Sequence, residues 1–260
     1  MRITFLLIFI CLLACSDDEP IVAKHCKLVK VVSDTPAQTV ETTYTYNDDD
    51  QIVGQVRTRD GVLDFSYVIS YRPDGLVDKV DQGEFTLEHS YTSEGKIQKE
   101  AVIDDATSQV TQTINYEWGT NSVEITWQRI SRSDPYQATT HEFSGENIVN
   151  TVHKSYNDFD NGKLMSIIEI NYSGFDTGIN QYYLASQNRP GYTIVSKNNY
   201  STEVSTHTQY LDGVAQAPSI STKTYTYEYN ESNATISFVT TDHTAVSSYP
   251  TQVTYDDCPE

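Results

Sequence analysis

The feature that most constrains this chain is a short pattern that recurs along it: an aromatic residue, a turn-forming residue four positions later, then a β-branched one. Tyr46 is followed by Asp50 and Ile52, Tyr71 by Gly75 and Val77, and Tyr91 by Gly95 and Ile97. Phe143 leads to Asn147 and Val149, and Tyr229 to Asn233 with Thr235-Ile236. Tyr116 with Asn121 and Val123 runs one residue late, and Phe159, Gly162 and Leu164 form a looser copy. The early copies recur at about twenty to twenty-five residues, room for two strands and two turns.

The physics of the unit is that of a hairpin. Arg72-Pro73-Asp74-Gly75 sets Pro where a type I turn wants its fixed φ, then Gly where the chain needs a positive one. Asn147 and Asn233 stand where Gly did, and Asn tolerates the left-handed region best among the other residues. The flanks alternate as half-buried strands do. Tyr225, Tyr227 and Tyr229 share one face against Thr224, Thr226 and Glu228, while Val123, Ile125 and Trp127 oppose Glu124, Thr126 and Gln128. No segment carries a sustained helical period with caps.

The expected fold is all-β, an antiparallel sheet of consecutive β-hairpin repeats. Its apolar face has to be buried, so the sheet curls into a barrel or half-barrel or folds into two layers. Gly174 to Gly191, with Gly178 and Arg189-Pro190-Gly191, breaks the pattern and reads as a long loop, the place for any pocket lip.

The motif resembles the YD-type repeat of Rhs-like proteins. It resembles still more the repeat-bearing surface lipoproteins of unknown function in Bacteroidota. The resemblance runs from Thr43 to Thr126 and, unevenly, from Phe143 to Ile236, without a regular Tyr-Asp pair. It implies architecture, a long antiparallel sheet of consecutive hairpins, and no known chemistry.

The start of the chain reads as an address. Arg2 precedes an apolar run from Ile3 to Ala14, too short to cross a bilayer and typical of a signal peptide. Leu12-Leu13-Ala14-Cys15 resembles the lipobox of bacterial lipoproteins, which implies cleavage before Cys15 and lipid on its sulfur. Several acyl chains anchor stably where one is marginal. Ser16-Asp17-Asp18-Glu19 resembles the export signal of Bacteroidota surface lipoproteins, with a solvated linker as the plainer reading. The expected organisation is a leader over 1–14, a lipidated Cys15 with an acidic tether over 15–25, and one all-β domain over 26–260. The expected place is the outer membrane, facing the cell surface first and the periplasm second.

Charge and cysteines add two constraints. The chain holds 36 Asp plus Glu against 17 Lys plus Arg, a net −19 that becomes −20 once Arg2 leaves with the leader. That balance opposes nucleic acid, whose phosphates need Lys and Arg, and also anionic headgroups. Cys26 and Cys258 remain in the folded part, and an even pair outside the inner membrane suggests a disulfide, two free thiols being the alternative. In the entropy view a loop that long is worth about 5 kcal/mol.

A search for chemistry finds no catalytic constellation. His25, His89, His141, His153, His207 and His243 show no metal-ligand spacing, and there is no Gly-x-Ser-x-Gly elbow or phosphate-binding Gly loop. Asn47 to Asp50 and Asp158 to Gly162 gather oxygen ligands but lack the spacing of a calcium loop. No metal or cofactor is expected. The 19 tyrosines fill a thin core or stack on a ligand, and in the second case Tyr225, Tyr227 and Tyr229 are the candidates. The functional expectation is a non-catalytic surface lipoprotein that binds or scaffolds a glycan or an envelope protein. A lipid-handling accessory protein with an apolar cavity comes second, and a glycan-directed hydrolase third.

Overall fold

The computed structural model describes residues 26–157, 162–187, 194–256 and 258. The leader, Cys15, the acidic tether and the 158–161 oxygen cluster lie outside the described residues. The chain enters through β1 (Lys27–Asp34), β2 (Thr39–Tyr46), β3 (Ile52–Arg59) and β4 (Val62–Tyr71). It continues through β5 (Val77–Asp81), β6 (Phe85–Tyr91), β7 (Ile97–Asp104), β8 (Gln109–Trp118) and β9 (Ser122–Arg129). Then come β10 (Gln137–Ser144), β11 (Asn147–Tyr156) and β12 (Leu164–Ile179), followed by one short helix, α1 (Gln181–Gln187). The chain ends with β13 (Asn198–Leu211), β14 (Val214–Ala215), β15 (Ser219–Tyr229), β16 (Thr235–Asp242) and β17 (Ser247–Asp256).

Each strand pairs antiparallel with its neighbours in sequence, and β17 returns to pair with β1, Val31 opposite Val253. β14 only folds back on the end of β13, so sixteen strands form the closed wall. Of the closures open to the sequence, the sheet takes the barrel.

The repeat explains the wall. At four turns the residue predicted to be left-handed is so: Asp50 (φ 61°), Gly75 (φ 83°), Gly95 (φ 76°) and Asn233 (φ 60°). Each turn is closed by the same two backbone bonds, as in Gly75 N to Arg72 O (2.9 Å) and Arg72 N to Leu76 O (2.8 Å). The aromatic residue before the turn reaches sideways. Tyr46 Oη donates to the Leu28 carbonyl (2.8 Å), Tyr71 to Ile52 (2.5 Å) and Tyr91 to Val77 (2.7 Å). Trp118 Nε1 does the same to Ile97 (2.7 Å) and Tyr255 to Thr235 (2.9 Å). The aliphatic residues so capped are fully buried, and most of them join one core cluster. At these five places the pattern binds a hairpin to the one before it.

Three expectations are corrected. In the Phe143 copy the left-handed residue is Gly145 (φ 61°), while Asn147 already begins β11. In the Tyr116 copy Asn121 is not left-handed: the turn is a tight one closed by Gly119 N to Ser122 O (2.8 Å). Gly162 (φ 68°) lies at the opposite end of the barrel from the other turns, so the loose copy around it is not one of the set. Spacing alone could not tell which end of a strand a turn closes.

All the motif turns lie at one end, here called the base, together with Cys26 and Cys258 at the limits of the described residues. Cys26 and Cys258 lie at disulfide distance there, Cα atoms 4.4 Å apart. The bridge stands where a turn would join β17 to β1, so the eighth base hairpin is closed by sulfur instead of peptide. The segment expected to be a loop and pocket lip is partly strand (β12 runs to Ile179) and partly helix, and it stoppers the base. Leu184 packs with Cys26, Ile179 and Ala234, and Ala185 joins the Leu28–Ile52–Val77 cluster. Ile194 reaches the Ile114–Val123–Ile125 cluster. Glu146 holds the stopper from the wall, accepting from Lys197 Nζ (2.6 Å) and Tyr183 Oη (3.1 Å).

Two stability tests follow from these contacts. Tyr71→Phe and Tyr91→Phe should each cost about 1 kcal/mol in urea unfolding, one net hydrogen bond, and the two losses should add because they serve different hairpins. Cys258→Ser should cost about 2–5 kcal/mol. An unchanged midpoint for it would show that the β1–β17 pairing closes the wall without covalent help.

Candidate functional site: the barrel lumen

Alternation along each strand decides what faces inward. Val123 and Ile125 are buried in the core while Glu124 between them is exposed, which fixes the inner phase of β9. The register then carries that phase around the wall. One inner row reads Ile125, Thr139, His153, Ile168, His207 and Ser219; the next reads Val123, His141, Thr151, Ile170, Ser205 and Ser221. Apolar and hydrogen-bonding side chains therefore alternate around this side of the lumen. Thr139 Oγ1 and His153 Nδ1 lie 2.8 Å apart, and His141 Nδ1 and Thr151 Oγ1 2.9 Å apart.

The predicted tyrosines also point inward. Tyr225, Tyr227 and Tyr229 succeed one another with near-parallel rings, centroids 6.2 Å apart at each step. Tyr200 meets Tyr225 edge-on at 5.2 Å and Tyr172 at 4.6 Å. Their hydroxyls are tied down: Tyr225 Oη donates to Glu203 Oε2 (2.9 Å), Tyr227 Oη to the Tyr200 carbonyl (3.0 Å) and Tyr229 Oη to Asp176. Burial first pushes all three phenols above their ordinary range, with Tyr200 and nearby carboxylates adding to it at Tyr225 and Tyr227 and Asp176 at Tyr229. These three are half-buried wall, and their rings, not their hydroxyls, are what they offer to the interior.

The lumenal carboxylates have fixed partners as well. Glu100 is buried and accepts from Tyr116 Oη (2.9 Å), with His89 Nε2 at 3.5 Å. Glu203 faces Lys223 Nζ at 3.6 Å. Higher up, Arg57 and Arg59 hold Asp64, and their hydrogen bonds keep its carboxyl below the usual range. The Arg57 guanidinium lies 4.1 Å over the Phe65 ring, which stacks on Tyr67 at 4.6 Å. Asn47 to Asp50, read as an oxygen cluster, is a base turn in which Asn47 Oδ1 accepts from the Asp49 and Gln51 amides (3.1 and 2.8 Å) and Lys27 pairs with Asp50. Among the described residues no group of three or more metal-ligating side chains converges.

The inner histidines were the residues that spacing arguments passed over. They lie far apart in sequence, and only the register sets His141 and His153 on neighbouring strands, ring centroids 6.5 Å apart. The signal was present in part, since strand alternation puts His141 in phase with Thr139.

The histidines give a pH test. Burial, with neighbouring His153 adding to it, lowers His141 from 6.5 to about 4, and burial lowers His153 too. A lowered base stays neutral in the fold while the unfolded chain takes up a proton near 6.5. The contribution is therefore whole above pH 6.5 and is lost as pH falls from there towards 4. The urea midpoint should decline over that window, and His141→Gln should flatten the slope; an unaltered slope would refute the assignment.

No protein-family model matches the chain, and no curated protein sequence does. Solved structures do. A porin-like protein from Bacteroides uniformis aligns over 89% of this chain and 96% of its own, at 12% identity and TM-score 0.55. A porin-like protein from Bacteroides vulgatus aligns over 89% and 99%, at 10% identity and TM-score 0.57. At such identity the likeness is one of fold: a closed antiparallel barrel of this size and order exists in Bacteroides.

Proposed function

We propose that this chain is a non-catalytic binding barrel of the bacterial envelope, tethered from its base and taking a glycan into its lumen through the opposite end. The observation that carries the reading is the polarity of the wall. A barrel that spans a membrane turns an apolar band about 25 Å tall towards lipid. This one turns ion pairs outward, Lys30 with Glu41 and Lys79 with Glu88. It does the same with the Asn150–Glu169–Asn171 network and the Glu228–Ser237 bond, so charged and polar groups recur around the perimeter. Such a wall suits water.

The interior suits a hydroxyl-rich ligand with apolar faces. Sixteen strands are about twice the number whose inward side chains just fill a barrel. The inner surface mixes rings with Thr, Ser, His and Gln, the combination that stacks on and hydrogen-bonds a sugar. Among the described residues, turns at the end opposite the base bond back to their own or adjacent strands, as Gln82 N does to Phe85 O and Tyr136 N to Trp127 O. Carboxylates tied to fixed donors read as structural acids, which favours binding over hydrolysis. The sector from Phe65, Tyr67 and Ile69 to Leu87 and Val102 is apolar enough to favour acyl chains as a second reading.

Trp127, on the inner face in the upper half of β9, is the reporter. Titration with soluble bacterial and plant polysaccharides should shift its fluorescence, and Trp127→Phe should abolish the shift while Trp118 remains. Phospholipid extracted from the purified protein, with no response to any polysaccharide, would replace the glycan by a lipid.

A further inference from the structure

The end opposite the base, here called the mouth, carries a surface for which lumenal binding gives no reason. Most large apolar side chains left exposed stand on its hairpins, among them Leu63 (61%), Ile130 (58%) and Val246 (89%). Every mouth hairpin except the β1–β2 turn contributes at least one. The base contributes Tyr182 alone among the described residues. The hairpin of β13 and β14 goes furthest. It pairs only with itself, Leu211 opposite Val214, and every residue from 211 to 220 is exposed. Leu211 and Val214 are each more than half exposed on it, at 67% and 64%, and Ile220 at the start of β15 beside it is 61% exposed. Apolar groups gathered on one end of a water-exposed protein mark a docking site.

Charge indicates what docks there. Asp60, Glu84, Asp105, Asp134 and Asp212 occupy the turn tips, ahead of the apolar residues beside them, and all are exposed. Arg132 shares the turn of Asp134 and Lys163 lies in the β11–β12 turn, while Arg59 and Arg129 end strands at the same rim, fewer bases than acids. A bilayer would have to accept those carboxylates before any apolar group. A second copy of this chain would set one acidic ring against another, which costs rather than stabilises. The complement of an acidic, apolar-studded ring is a protein surface with an apolar centre and a Lys/Arg border. We propose that the mouth docks on a basic partner protein, the β13–β14 hairpin making the leading contact. The proposal is independent of what enters the lumen.

The test uses the full chain in its own envelope, with a photo-crosslinking phenylalanine placed at Val214 or Val246 on the mouth and at Ser70 or Thr226 on the outer wall. One discrete polypeptide should be captured from the mouth positions and not from the wall. That partner, purified, should bind the purified chain with an affinity that falls with salt. It should weaken by about tenfold both for Leu211→Asp with Val214→Asp and for the neutralised set Asp60→Asn, Glu84→Gln and Asp212→Asn. The second set keeps the fold safe. Thr39 N donates to Asp60 Oδ1 (2.9 Å), and the amide oxygen of the Asp60→Asn variant can accept the same bond. Asn also tolerates the left-handed φ of Asp212 (50°). Capture of lipid, capture of a second copy, equal capture from the wall, or binding indifferent to the neutralised set would each overturn the proposal.

Discussion

Everything in this fold waits on one pairing, that of β1 with β17. Until it forms, the hairpins are an open curved sheet with two free edges and no lumen. The pairing joins residues more than 200 positions apart, as the 232-residue separation of Cys26 and Cys258 shows, and loop-closure entropy opposes it. The disulfide sits at the base of that seam and acts chiefly on the open chain, by removing arrangements in which the edges drift apart. The repeated aromatic-to-carbonyl bonds do complementary work. Where they occur they fix one hairpin against the one before it, which favours a regular course of the sheet towards closure.

Closure also divides the residues of every strand between two solvents. Outside, Thr, Ser, Glu and Lys meet water and ion-pair across neighbouring strands. Inside, the same alternation gathers rings near the base, where α1 and its flanks complete a core, and a mixed polar wall higher up. The two ends differ accordingly. The base is a conventional hydrophobic core with a covalent clasp, while the mouth is a ring of short turns that leaves acids and apolar groups exposed.

Local chemistry was legible in the sequence, and long-range geometry was not. The turns at Asp50, Gly75, Gly95 and Asn233 follow from backbone preference, which acts within four residues. The inward phase of Tyr225, Tyr227 and Tyr229 follows from a period of two. The Cys26–Cys258 pair follows from the even count of thiols left in the folded part. The choice of a barrel depends on the small twist and tilt summed over sixteen strands, which no single hairpin reveals. The stopper is similar: Gln181–Gln187 is too short to show a helical period, and its place follows only from the hole it fills. For the candidate site, the rings were visible as a set. The histidine and threonine rows were not, because their members meet through register alone.

The seam has a consequence for how such a chain comes into being. Its first strand to emerge is the last to find its second neighbour, so β1 stays a raw edge throughout synthesis. An edge strand in that condition templates whatever strand comes near, including β17 of another copy. Two chains exchanging their final strands would satisfy every backbone group and yield a larger ring or a ribbon instead of a barrel. The clasp at the base therefore has a second meaning, since it records that a chain has closed upon itself rather than upon its neighbour.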